Sequence, residues 1–195
     1  MMDLKGNDTS SAWIETFTGK KFYLLEPRIE DIDILDIAHG LALQCRWTGQ
    51  CRFHYSVAQH SYYCSFLGPS ESALERLLHD SSESVMGDMN RPLKHFTNAG
   101  ESYRAQEKVI QQAIRQRFGL PVTECPSVHI ADNQMLYVEK KQLMTALPWD
   151  DVDWLKKSDS EDLGSANIII EQWSPSHAET MFLNRFKELY KQKVN

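Results

Sequence analysis

Two imidazoles and two carboxylates, at His60, His79, Asp80 and Asp132, carry the clearest chemical signal in the chain. Mixed nitrogen and oxygen donors suit one borderline divalent ion such as Mn, Fe, Co, Ni or Zn, with Mg also open, rather than Ca. Glu83 follows His79 by four residues and Asp80 by three, so an unbroken helix would carry it on the same face, one turn along. A carboxylate there lies beside an attacking water without holding the ion, where it can orient the water or move its proton. Downstream, the run Gly87-Asp88-Met89-Asn90-Arg91-Pro92-Leu93-Lys94 holds a further carboxylate and two cations, and upstream Arg46-Trp47 sets a guanidinium beside a large aromatic. Arg46, Arg91 and Lys94 gathered near a candidate ion in an acidic chain point to an anionic substrate. Phosphate is the natural choice, because guanidinium forks and a divalent ion both neutralise phosphoryl oxygens.

For these groups to meet, separate elements must carry them. His60 falls inside one expected helix, over about Tyr55 to Leu67. His79-Asp80 ends the next, opened by Ser70, and Asp132 lies early in a third, over Ser127 to Leu147. Pro27 precedes an apolar series at Ile29, Ile32, Leu35, Ile37, Ala38 and Leu41, whose spacing of three and four makes one helical stripe. A long helix fits Asn98 to Phe118, closed by Gly119 and Pro121, and Ser174-Pro175 opens a last amphipathic helix over 175–193. Strand patterning is confined to Trp13–Phe17 and Lys20–Leu24 around Thr18-Gly19, a small hairpin, and to the short Ile168-Ile169-Ile170. The expected fold class is an all-α bundle with a small N-terminal β-hairpin, in a single domain over 1–195. Residues 1–12 read as frayed and 148–170 as a loop.

The bulk properties agree. A length of 195 residues fits one domain, and 42% hydrophobic with 25% charged residues is ordinary globular composition. A formal charge of -6 disfavours general binding to a nucleic-acid polymer or an anionic membrane. No run reaches the ~20 apolar residues that span a bilayer, and Met1 to Asp8 lacks an apolar secretory core, so the expected address is the cytoplasm. The four cysteines, Cys45, Cys51, Cys64 and Cys125, have neither a scaffold's density nor zinc-knuckle spacing and read as thiols filling small, partly buried spaces.

The runs Asp36-Ile37-Ala38-His39-Gly40-Leu41-Ala42, Cys45-Arg46-Trp47, Tyr55-Ser56-Val57-Ala58-Gln59-His60-Ser61, Leu77-Leu78-His79-Asp80-Ser81-Ser82-Glu83 and Gly87-Asp88 through Lys94 together resemble the HD-domain metal-dependent phosphohydrolases. Within that family the pattern is similar to the bacterial HD-type 5'-deoxynucleotidases and the phage dATP triphosphohydrolases, over roughly residues 13–147. The resemblance implies an HD helical bundle acting on deoxyribonucleotides. His60, His79, Asp80 and Asp132 match its metal ligands, Glu83 its acid beside the attacking water, and Asp88 a second carboxylate near the leaving group. Arg46 matches a phosphate contact, with Lys94 and Arg91 as further contacts, and Trp47 an aromatic near the sugar that disfavours a 2'-hydroxyl. The interval from His60 to His79 is shorter than the bacterial nucleotidases suggest, so mono- and triphosphate substrates both stay open, as does a homo-oligomer.

Several positions also have plainer readings. His39 reads as a structural hydrogen-bonding residue, and His54 and His95 as exposed. His129 can share the face of Asp132, which with His95 leaves a two-ion variant open beside the one-ion reading. Trp47 fits either core or pocket wall, and Arg91 could pair with Asp88 across its turn. The rival functions are a cyclic or signalling-nucleotide phosphodiesterase and a catalytically silent nucleotide-binding regulator.

Overall fold

The computed structural model describes residues 10–146 and 167–194. Most of the expected frayed start, at 1–9, and of the expected loop, at 148–166, therefore lies outside the described residues, as does Leu147 at the end of the helix expected over Ser127 to Leu147. Strands β1 (Trp13–Glu15) and β2 (Lys21–Tyr23) pair antiparallel, Ile14 opposite Phe22. Gly19 turns the hairpin at φ +80°, and the Thr18 amide and hydroxyl donate to Asp36 at 2.7 and 2.9 Å, docking the turn on the first helix.

Among the described residues eight α-helices follow: α1 (Ile34–Leu43), α2 (Val57–Cys64), α3 (Ala73–Leu77), α4 (Glu83–Met86), α5 (Arg91–Phe96), α6 (Asn98–Arg117), α7 (Pro126–Leu143) and α8 (Pro175–Val194). The expected predominantly helical class with an N-terminal hairpin is what the chain forms. Side-chain caps start them where the sequence supplies acceptors: Asp33 takes the Leu35 amide, Ser56 that of Gln59, Asn90 that of Leu93 and Thr97 that of Gly100. Leu41, Leu77, Leu78, Ile110, Ile114 and Phe182 centre one apolar cluster, and α8 packs on α1, α2 and α3. A second cluster of Tyr55, Cys64, Ala131, Met135, Val138 and Leu143 joins α2 to α7. No described helix is long and apolar enough to cross a membrane.

Four expectations need correction. The stripe from Ile29 is not one helix: a single 3-10 turn (Ile29–Asp31) precedes α1, because Asp33 caps a new start. Ile168-Ile169-Ile170 pairs with no strand among the described residues, its Ile170 amide donating to the Gln142 side chain at 2.8 Å. Asn90 and Pro92 start α5 inside what reads as turn chemistry, Asn90 as cap and Pro92 in the first turn.

The fourth correction bears on the chemistry. The helix expected to carry His79, Asp80 and Glu83 together breaks after Leu77 and resumes at Glu83. Between them the chain tightens into i→i+3 turns, the Ser81 amide donating to the Leu78 carbonyl at 3.2 Å and the Glu83 amide to that of Asp80 at 3.0 Å. Gln111 of α6 satisfies the backbone this opens, donating to the Leu78 carbonyl at 2.7 Å and accepting from the Ser82 amide at 3.1 Å. With about three residues per turn, positions i and i+3 eclipse, so Asp80 and Glu83 share a side by a different geometry from the one expected.

Candidate metal centre

Three elements converge on one point. The α2 helix brings His60, the turn after α3 brings His79 and Asp80, and α7 brings Asp132. His60 Nε2 and His79 Nε2 are 3.3 Å apart. Asp132 Oδ1 lies 3.2 Å from the first and 3.9 Å from the second, and Asp80 Oδ2 lies 3.1 Å from His79 Nε2 and 3.7 Å from His60 Nε2. Donors held at about 2.0–2.2 Å around a single ion are ~3–4 Å from one another. The spacing fits.

The hydrogen bonds behind the rings sharpen this. His79 Nδ1 meets the Arg76 carbonyl at 2.7 Å, and a carbonyl only accepts, so the ring donates from Nδ1. His60 Nδ1 donates to Glu139 Oε1 at 2.6 Å. Neutral rings would therefore turn two Nε2 lone pairs on each other, beside two carboxylates. Something positive belongs between them. In the metal-free protein protons take that role: burial opposes charge on His79, but Asp80 outweighs it and carries the ring up to about 9. Asp80 is held well below the usual carboxylate range, against burial, by His79, His60 and Arg46.

A stability consequence follows from His79. Its folded value stands above the ordinary 6.5, so its contribution is complete below that pH and is lost as pH rises through about 9. The Tm of metal-free protein is expected to fall over that window more steeply than that of a His79→Gln variant, as thermal melts across pH would show.

Glu139 is the residue that sequence reading missed. Fully buried on α7, it takes the His60 ring on Oε1, and on Oε2 both Arg46 Nε at 3.2 Å and the Trp47 indole at 3.0 Å. Arg46 and His60 hold it ionised against burial. Its signal was positional, since it lies two helical turns past Asp132 on the same face. A Glu139→Gln amide would turn its NH2 on one of these donors. Breaking such a buried pair costs about 3–5 kcal/mol, a fall in Tm of roughly 6–20 °C by differential scanning calorimetry.

Cys64 also borders the cluster. It is buried one turn along α2 from His60, and His60, Cys64 and His79 form a group able to hold a metal ion. Its sulfur lies 3.4 Å from His60 Nε2 and 4.0 Å from Nδ1, beside the ring rather than in front of the Nε2 lone pair. Asp132 Oδ1 comes nearer His60 Nε2, at 3.2 Å.

Around the open side of Asp80 and Asp132 is a cavity of about 770 Å³, a size suited to a small-molecule ligand. Arg46, Glu83, Asp88 and Lys94 line it, with Trp47, Arg91 and Phe96 at its wall. Glu83 is buried, and its Oε2 has no hydrogen-bond partner among the described residues. Burial, then Asp80 and Asp88, push its carboxyl well above the ordinary range. Gln44 fixes the carboxylate-bearing segment, donating to the Glu83 carbonyl at 2.7 Å and accepting from the Asp88 amide at 2.9 Å. Lys94 is held against the wall by Glu107 at 2.6 Å.

All ten residues singled out from sequence thus lie in or on this cavity and its cluster. Arg91 lines the cavity without pairing to Asp88, and Trp47 is pocket wall as well as partner to Glu139. His39 is structural as expected, bonded to Glu179 at 3.1 Å and stacked on Phe17. His95 is exposed and His54 half-buried, while His129 bonds Asn133 at 3.0 Å.

Comparison with known proteins places this arrangement in a lineage. No family model matches the chain. It is 36% identical over 178 residues to "Uncharacterized protein YfdR" of Escherichia coli K12, covering 91% of this chain and 96% of that one. The chain belongs to the YfdR family. A second relative, "Uncharacterized protein RCAP_rcc00048" of Rhodobacter capsulatus, is 38% identical over 145 residues, 68% of this chain and 73% of its own. The YfdR match spans nearly both chains, so His60, His79, Asp80, Asp132 and the cavity beside them lie within the shared length.

Proposed function

We propose that this YfdR-family chain is an HD-type phosphohydrolase that uses one divalent ion to remove phosphate from deoxyribonucleotides. The observation that carries the reading is the pair of imidazole lone pairs facing each other at 3.3 Å, with Asp80 and Asp132 closing the other sides. Such N2O2 donors fit Mn, Fe, Co, Ni or Zn. When bound, the ion supplies Lewis acidity that activates water and neutralises phosphoryl charge.

The chain's own groups do the rest. Glu83, buried at the cavity, orients the attacking water and accepts its proton in the ionised form. That form is favoured once a cation is bound beside Asp80, over the neutral acid that burial, Asp80 and Asp88 otherwise maintain. Arg46, kept cationic against burial by Glu139 and Asp80, binds non-reacting phosphate oxygens, assisted by Lys94 and Arg91. Asp88, whose carboxyl burial raises, sits where it can give a proton to the departing oxygen. Trp47 stands at the wall to pack on the sugar. An unpartnered buried carboxylate favours turnover over the silent-regulator reading, because simple retention of a nucleotide makes no use of it.

Ion binding must displace protons from the rings, so affinity is expected to rise with pH, with proton release near neutrality. Calorimetry in buffers of different ionisation enthalpy reads that directly. The function is tested by incubating the protein with Mn, Co, Zn and Mg in turn and separating the products of dNMPs, dNTPs and cyclic dinucleotides by ion exchange. Release of phosphate or polyphosphate from a deoxynucleotide supports the reading; turnover of cyclic dinucleotides alone overturns it.

A further inference from the structure

Beside the cavity, the loop that presents Arg46 and Trp47 is bracketed by two cysteines whose sulfurs are 3.6 Å apart. We propose that Cys45 and Cys51 are a reversible dithiol modification site, closed into an intramolecular disulfide by exchange with a small-molecule disulfide such as oxidised glutathione.

The backbone on either side of each cysteine is pinned, so the approach of the two sulfurs is built into the fold. Cys45 forms an isolated antiparallel bridge with Ser56, the Arg46 amide donating to the Tyr55 carbonyl at 2.9 Å and the Val57 amide to that of Gln44 at 3.1 Å. Beyond Cys51, the Arg52 amide donates to the Leu143 carbonyl at 3.0 Å. Between them the chain reverses through three consecutive left-handed residues, Trp47 at φ 58°, Thr48 at 53° and Gly49 at 74°. Two of these are not glycine, a costly conformation held by the amide of Gly49 on the Arg46 carbonyl and that of Gln50 on the Trp47 carbonyl. The reversal is what brings the thiols face to face.

Both sulfurs are also placed for exchange. Each cysteine is half-buried, open enough for a small disulfide to reach and shielded enough to favour its neighbour over a second external thiol. The Cys51 thiol, a weak donor, lies 3.1 Å from the Phe53 carbonyl and 3.7 Å from that of Arg46. Burial, with the neighbouring Cys45 sulfur, pushes it up to about 11, which leaves Cys45 as the attacking sulfur. The Cys45 sulfur attacks oxidised glutathione and releases one glutathione; the Cys51 sulfur then displaces the second glutathione. Two protein S–H bonds and one glutathione S–S bond are exchanged for one protein S–S bond and two glutathione S–H bonds, so atoms and electrons balance.

The test uses full-length protein incubated with oxidised glutathione, quenched with acid and alkylated. Two of the four thiols are expected to be lost. Trypsin cuts after Arg28, Arg46 and Arg52, so the peptides Ile29–Arg46 and Trp47–Arg52 should appear joined by a disulfide and separate on reduction. Four free thiols, a glutathione adduct that persists on Cys45 or Cys51, or linkage through Cys64 or Cys125 overturns the proposal. Catalysis does not enter the measurement, so this inference and the phosphohydrolase reading stand or fall separately.

Discussion

Asp80→Ala protein is expected to fold, to come through gel filtration without its divalent ion, and to lose more than about a hundredfold in phosphate release. Removing residues that merely support a ligand already costs 10–100-fold, and Asp80 is placed as a donor itself. Its Oδ2 is 3.1 Å from His79 Nε2 and 3.5 Å from Arg46, so its loss removes the anion that most strongly draws positive charge onto His79. Arg46 keeps Glu139 as partner, which limits structural damage. Elemental analysis beside a circular dichroism melt checks the result. An alanine variant that keeps a full equivalent of ion would remove Asp80 from the donor set.

Glu83→Gln is expected to separate ion binding from chemistry. Glu83 lies outside the four facing donors, and its Oε2 has no hydrogen-bond partner among the described residues. The amide keeps the shape and cannot take a proton, so kcat should fall by about 10²–10⁴ with the ion content unchanged and KM altered little. Loss of the ion in this variant would show that Glu83 is a ligand.

Much of this architecture was legible because local rules carry it. His60, His79-Asp80 and Asp132 could be grouped because each sat on a separate element, and Thr18-Gly19, Ser174-Pro175 and Gly119 marked ends that short-range chemistry decides. What escaped depends on distant partners. The break at Leu78 is held by Gln111, far along the chain, and no local pattern announces it. Glu139 precedes Lys140 and Lys141, and nothing in its local sequence marks it as buried. Its burial follows from Arg46 and Trp47, brought over by a loop whose left-handed turn no composition predicts. The proposed function, and the proposed HD assignment, rest on resemblance and donor geometry together.

A single carboxylate serving an imidazole, a guanidinium and an indole has a bearing on descent. Because Glu139 holds His60 with one oxygen and Arg46 with Trp47 on the other, a lineage cannot drift at one of these four positions while keeping the rest. They should be inherited or abandoned as a block, so that a cousin with a different Arg-Trp arm would carry another residue at position 139 as well.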